Sequence, residues 1–326
     1  MDIRNMWMAI GFLLIGFVFL IKGADYFVEG ASSVAKQFKI PSLVIGMTIV
    51  ALGTSLPELS VSVSASLKGS NALAISNVLG SNLFNLMVVL GASALIIPLT
   101  VDEDVVKKDL PFSMLASALL LGIGAATGKI GFVAGVIFLV MFAFFLGSML
   151  HRGMRARKEG KETKAEQQEE LEAEQIKILP IWLSVVYIIG GAVAIKYGGD
   201  FVVDSAVYIA KFFGVTETLI GLTIVACGTS LPELATSMAA AKKDELDMAV
   251  GNAVGSNLFN ILAILGVASV LSPVAMTRDN VIDDIVLLVF SGIVWLFSKK
   301  NGKLDRKAGA LMVILYLIYL VYICVR

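Results

Sequence analysis

The chain has 326 residues, 57% of them hydrophobic and 16% charged, with 26 basic residues balancing 26 acidic ones. A soluble domain does not carry so much apolar surface, and a chain without a basic excess lacks the footprint of a nucleic-acid binder. Two cysteines, Cys227 and Cys324, both in apolar runs, imply neither a disulfide framework nor a metal cluster.

In chain order, apolar runs long enough to cross the hydrocarbon core as helices of roughly 20 residues fall near 6–28, 42–66, 72–97, 111–127 and 130–150. The first is too long for a signal peptide and is not followed by a small-residue cleavage pattern, so it reads as a spanning helix. Residues 151–177, "HRGMRARKEGKETKAEQQEELEAEQIK", form a charge-rich, solvated linker. Runs then resume near 179–198, 199–241, 247–271, 281–298 and 307–325, with a polar turn expected near Gly214. These runs predict an all-α membrane protein of about ten transmembrane helices, in two five-helix units, 1–150 and 179–326, joined by the linker 151–178.

The two units are repeats. A shift of 175 residues aligns 23–91 with 198–266 without a gap, and about 33 of the pairs are identical. Five spans per unit, an odd number, forces the copies to enter the membrane in opposite orientations, the inverted-repeat plan of secondary transporters. With the N-terminus outside, the cytoplasmic loops, including 30–41 and the linker, hold about 18 Lys and Arg against about 6 outside, as the positive-inside rule requires.

"ALGTSLPELS" at 51–60 recurs as "ACGTSLPELA" at 226–235. Pro57 removes a backbone donor and Gly53 adds freedom, so the helix should kink there and free carbonyls from about Ala51 to Thr54. Irregular backbone at membrane depth is tolerated only where it is buried in protein or lines a cavity. Glu58 follows the break, and Glu233 follows its copy. Intramembrane acids are costly and functional by default, and inversion would set the two at one depth, face to face. With the hydroxyls of Thr54, Ser55, Thr229 and Ser230 they make an all-oxygen set that suits a hard cation such as Ca²⁺.

"GSNLFN" at 80–85 recurs at 255–260. Gly80 and Ser81 could serve close helix packing, but Asn85 and Asn260, one turn beyond Ser81 and Ser256, need polar partners and point to the same site. Asp25, Glu29, Asp200 and Asp204 recur at what read as the ends of the first helix of each repeat, a common place for acids that face water. Cys227 reads as packing.

At these residues the sequence resembles the cation/calcium exchanger superfamily, and within it the prokaryotic sodium/calcium exchangers. Both signature repeats of that family are matched, at roughly 42–91 and 217–266. The resemblance implies a Na⁺/Ca²⁺ antiporter working by alternating access, not an enzyme, with no cofactor and with Ca²⁺ and Na⁺ as transported ions. It also implies a calcium site of Glu58, Glu233 and the carbonyls of Thr54 and Thr229. Flanking sodium sites would be made by Ala51, Ser55, Ser81, Ala226, Ser230 and Ser256, with Asn85 and Asn260 completing the centre. Some potassium-dependent relatives have aspartate where Asn260 stands, which argues against potassium dependence. A Ca²⁺/H⁺ antiporter, and further off a passive cation channel, are the alternative readings. The expected setting is the inner membrane, with the linker cytoplasmic, lipid as the surrounding partner and the monomer as the working unit.

Overall fold

The computed structural model describes residues 5–67, 71–159, 179–214 and 226–325. The first helix, α1 (Met6–Phe38), is capped by the Asn5 side chain, which accepts from the Met8 N–H. It ends at Lys39, whose left-handed backbone (φ 52°) turns its N–H onto the carbonyls of Ala35 and Lys36, two residues before Pro41. The expected loop at 30–41 is therefore mostly helix. Asp25 and Glu29 lie inside α1, and Asp200 and Asp204 inside α7 (Ile181–Phe212), because no breaker interrupts either run. At 1.5 Å per residue each helix is about 50 Å long, more than the bilayer core of about 30 Å.

These two long helices pack antiparallel along a seven-residue stripe of small residues. Gly16 lies on Gly198, Gly23 on Gly191 and Gly30 on Ser184. A Cβ added at Gly16 would sit 2.8 Å from the Gly198 carbonyl oxygen, and one at Gly30 2.7 Å from that of Ser184, so the stripe sets how closely the backbones approach.

Next come α2 (Ser42–Thr54), with a π-helical turn at Gly46–Val50, and α3 (Leu56–Leu67), inclined to each other by 47°. The helix α4 starts at Asn71, passes through a π-helical turn at Asn85–Val89 and ends at Ile96. After β1 (Leu99–Thr100) come α5 (Val105–Thr127), β2 (Lys129–Ile130) and α6 (Phe132–Glu159). Residues 151–159, expected to open the linker, instead continue α6; the rest of the linker, 160–178, lies outside the described residues.

The second unit continues from α7 to a turn at Gly214, where φ is +80°, then to α8 (Ala226–Thr229), α9 (Leu231–Lys242) and α10 (Leu246–Leu271), the last with its own π-helical turn at Phe259–Ile264. It closes with β3 (Val274–Ala275), α11 (Arg278–Asn301), β4 (Lys303–Leu304) and α12 (Arg306–Val325). Short antiparallel ties join the units, β1 to β4 and β2 to β3.

The chain is an all-α membrane protein. Among the described residues eight helices are long and apolar enough to span, or nine if the bent pair α2–α3 counts as one crossing. The remaining expected span covers 215–241, and its first part, 215–225, lies outside the described residues.

At the centre α4 and α10 are the most enclosed of these helices, and α2 lies directly on α10. That contact depends on missing side chains: a Cβ at Gly46 would meet the Met248 carbonyl oxygen at 2.7 Å, and one at Gly255 the Met47 Cα at 2.7 Å.

Candidate cation site

Pro57 and Pro232 stand in the first turns of α3 and α9, where a missing N–H is tolerated. Each proline leaves the carbonyl four residues earlier, on Gly53 or Gly228, without its helical donor. The chain turns at Ser55 (φ −85°, ψ 9°) and Ser230 (φ −92°, ψ 6°), and Glu58 and Glu233 follow in the first turn of the new helix. Both are fully buried. At a helix N-terminus a carboxylate is favoured by the macrodipole.

The two motifs bind each other crosswise. The Ser55 hydroxyl donates to Glu233 Oε1 at 2.8 Å, and the Ser230 hydroxyl donates to Glu58 Oε1 at 3.2 Å. Because each serine is three residues from its own glutamate, this exchange draws both carboxylates to one point. Ser256 of α10 also donates to Glu233 Oε1, at 3.4 Å.

Around this centre lies a second pair of residues that the sequence reading missed. Asn77 Nδ2 donates to the Glu58 carbonyl at 3.4 Å and to Ser62 Oγ at 3.0 Å, while its Oδ1 accepts from the Thr229 hydroxyl at 3.4 Å. Asn252 does the same 175 residues on: to the Glu233 carbonyl at 3.3 Å, to Ser237 Oγ at 2.8 Å, and from Thr54 at 3.1 Å. Asn82 and Asn257 exchange bonds from Nδ2 to the partner's carbonyl, each at 3.2 Å. The signal was present, since all four asparagines and both serines are identical between the repeats.

Several polar atoms at this centre have no hydrogen-bond partner: Glu58 Oε2, Glu233 Oε2, Ser81 Oγ, both amide atoms of Asn85, and Asn260 Oδ1. Asn260 Nδ2 is satisfied by Asn82 Oδ1 at 3.0 Å. Asn85 and Asn260 both lie in π-helical turns, a local geometry common at functional sites. No lysine, arginine or histidine among the described residues pairs with either glutamate, and no third acid joins them. Buried carboxylates left this way need a cation.

Not every expected donor is free. The Ala51 carbonyl accepts from the Ser55 N–H at 3.0 Å and the Thr54 hydroxyl at 3.3 Å, because Ser55 still reaches back into the last turn of α2. Ala226 is the first residue of α8. Cys227 is half-buried, its sulfur 3.4 Å from the Tyr316 hydroxyl, a packing position. A cavity of about 420 Å³ runs beside both breaks, lined by Thr54, Pro57, Thr229 and Pro232, with Asp200 and Asp204 on its α7 wall.

Residues 8–150 and 183–325 match the model of the sodium/calcium exchanger protein family. The chain belongs to that family. It is 39% identical to a putative antiporter, CaxA, of Alkalimonas amylolytica, over 90% of this chain and 91% of that one. It is 31% identical to the sodium/calcium exchanger MaX1 of Methanosarcina acetivorans, over 95% of this chain and 96% of that one. The fold superimposes on the sodium–calcium exchanger NCX_Mj, soaked with Na⁺ and Sr²⁺, with a TM-score of 0.82 and 32% identity, covering 97% of this chain and 99% of that one. As an exchanger the protein is a multi-pass membrane transporter, a cation/Ca²⁺ antiporter.

Proposed function

We propose that the protein exchanges about three Na⁺ for one Ca²⁺ by alternating access, the net positive charge per cycle being worth about 2.3 kcal/mol per 100 mV. The observation that carries this reading is the pair of buried glutamates, free of any cationic side chain and ringed by unpartnered oxygens. Two carboxylates balance one Ca²⁺, which favours six to eight oxygen ligands in an adaptable cage. Three Na⁺ on the same donors leave one positive charge, so the ions compete and cannot share the site.

In this reading Ca²⁺ is held by Glu58, Glu233 and the carbonyls of Thr54 and Thr229. Na⁺ uses these acids together with Ser55, Ser81, Ser230, Ser256 and the carbonyls of Ala51 and Ala226, while Asn85 and Asn260 supply neutral oxygens. The reciprocal bonds at Ser55 and Ser230, and at Asn77 and Asn252, support two inverted five-helix repeats about a central axis. The positive-inside count supports an external N-terminus and a cytoplasmic linker. A relative 35% identical is named an inner membrane protein of Escherichia coli, which supports the same location here; one chain supplies both halves of the site, so the monomer suffices.

Calcium uptake into proteoliposomes loaded with Na⁺, with a proton gradient alone, or with neither, tests the coupling. Uptake is expected only with outward Na⁺, and should respond to an imposed membrane potential. Equal uptake driven by protons without Na⁺ would replace this reading with Ca²⁺/H⁺ antiport, and uptake without any gradient would indicate a channel.

A further inference from the structure

The repeats also differ at a buried acid outside the cation site. Asp109 of α5 and Asp284 of α11 stand 175 residues apart, each ten residues after the start of its strand, β1 or β3. Their exposures are 2% and 0%. Asp109 is neutralised by Arg152 of α6, which grips it from Nη1 at 2.9 Å and from Nη2 at 2.6 Å. Asp284 has no such counterpart. The Ser117 hydroxyl of α5 donates to its Oδ1, its Oδ2 meets no partner, and no lysine or arginine among the described residues pairs with it.

The groups around Asp284 add no positive charge. On its own helix Asp283 accepts from the Tyr319 hydroxyl of α12 at 2.7 Å, and Asn280 donates to Ser76 of α4 at 2.9 Å. The facing residue of α5 is Ser117. An ionised Asp284 would be an uncompensated charge inside an apolar helix, with a second acid beside it in sequence, which costs several kcal/mol. The neutral acid avoids that cost, and it converts the unpartnered Oδ2 from an acceptor into an O–H.

We infer that Asp284 is a proton-binding site, separate from Glu58 and Glu233, which takes its proton from water and returns it there when the packing of α5 against α11 opens. Its state reaches the cation site through α4. One turn before Asp284, Asn280 holds Ser76, and the next residue, Asn77, holds the Glu58 carbonyl. Proton occupancy therefore tunes exchange with pH without competing for the transported ions.

Infrared difference spectroscopy of the full-length protein with Ca²⁺ bound tests this directly. Calcium keeps Glu58 and Glu233 ionised under the proposed function, so the carbonyl stretch of a protonated carboxylic acid should remain in the wild type and be lost in D284N. It should shift without vanishing in S117A, which removes only the donor to Oδ1. In proteoliposomes D284N should retain maximal exchange while the alkaline limb of its pH profile flattens. A wild-type spectrum without that band, or a band unchanged in D284N, overturns the inference. If the antiport reading alone fails, the flux readout is lost but the Asp284 band persists.

Discussion

In the second repeat, Ser256 donates to Glu233 and Asn260 donates to Asn82. In the first repeat the matching residues, Ser81 and Asn85, bond to nothing, although they are equally buried and come from an identical hexapeptide. The inner ring, by contrast, is symmetric: Ser55 serves Glu233 as Ser230 serves Glu58, and Asn77 brackets one glutamate as Asn252 brackets the other. Duplication thus supplied matched donors, and the packing satisfies one set more fully than the other. Donors already bonded must give up a partner to bind an ion, whereas unbonded ones gain one. First-repeat groups should therefore respond more strongly to bound cation.

The strongest way to break this comparison is to remove one charge at a time. E58Q and E233Q should each abolish Ca²⁺ exchange in proteoliposomes while leaving the detergent melting temperature near wild type. Glutamine keeps an oxygen for Ser230 or Ser55, so the crosswise bonds survive, but one remaining carboxylate cannot balance a divalent ion. Near-normal flux in either variant would place the calcium site elsewhere.

The bracketing asparagines come next. N77A and N252A each leave a buried glutamate carbonyl, a serine and a threonine short of one partner, and unmet buried groups cost about 1–3 kcal/mol each. Both variants should melt lower and bind Ca²⁺ more weakly, and by similar amounts, because their bonds are matched. Calorimetry on the two proteins checks this. A large inequality would show that the asymmetry of the outer ring extends to the inner one.

The motifs were legible because membrane physics makes them costly: a proline, a glycine and an acid do not recur inside apolar runs without a task. Glu58, Glu233 and the serines that meet them could be named from spacing and repetition alone. Asn77 and Asn252 were equally repeated, yet they lie outside the two quoted motifs, and the bonds they make join residues 15 to 198 positions apart. Helix ends were least legible. Apolar length predicts where a bilayer begins and ends, but α1 and α7 are held by each other along their glycine stripe and continue past that limit. The Ala51 carbonyl was misjudged for a local reason: a proline frees the carbonyl four residues back, that of Gly53, and not the whole preceding turn.

The smallest predicted effect separates the two long helices. Lys243, in the turn after α9, donates to the Asp25 carbonyl of α1 at 2.7 Å and lies 3.6 Å from Glu29 Oε2, with 30% of its side chain exposed. Lys196 of α7 pairs with Asp200, the repeat counterpart of Asp25, at 2.7 Å one turn along the same helix, with 57% and 50% of the side chains exposed. The first contact ties α1 to the element that carries Glu233; the second ties α7 only to itself. K243M should therefore lower stability by about 1 kcal/mol, the worth of a partly buried hydrogen bond. K196M should change it by no more than about 0.5 kcal/mol, since exposed pairs are screened and entropically costly. Melting both variants at low and high salt checks the ranking, and only K243M should stay destabilised at high salt. If K196M proves the more damaging of the two, Asp200 needs its lysine to keep the cavity wall of α7 in place, and the acids of the second repeat would do more than face water.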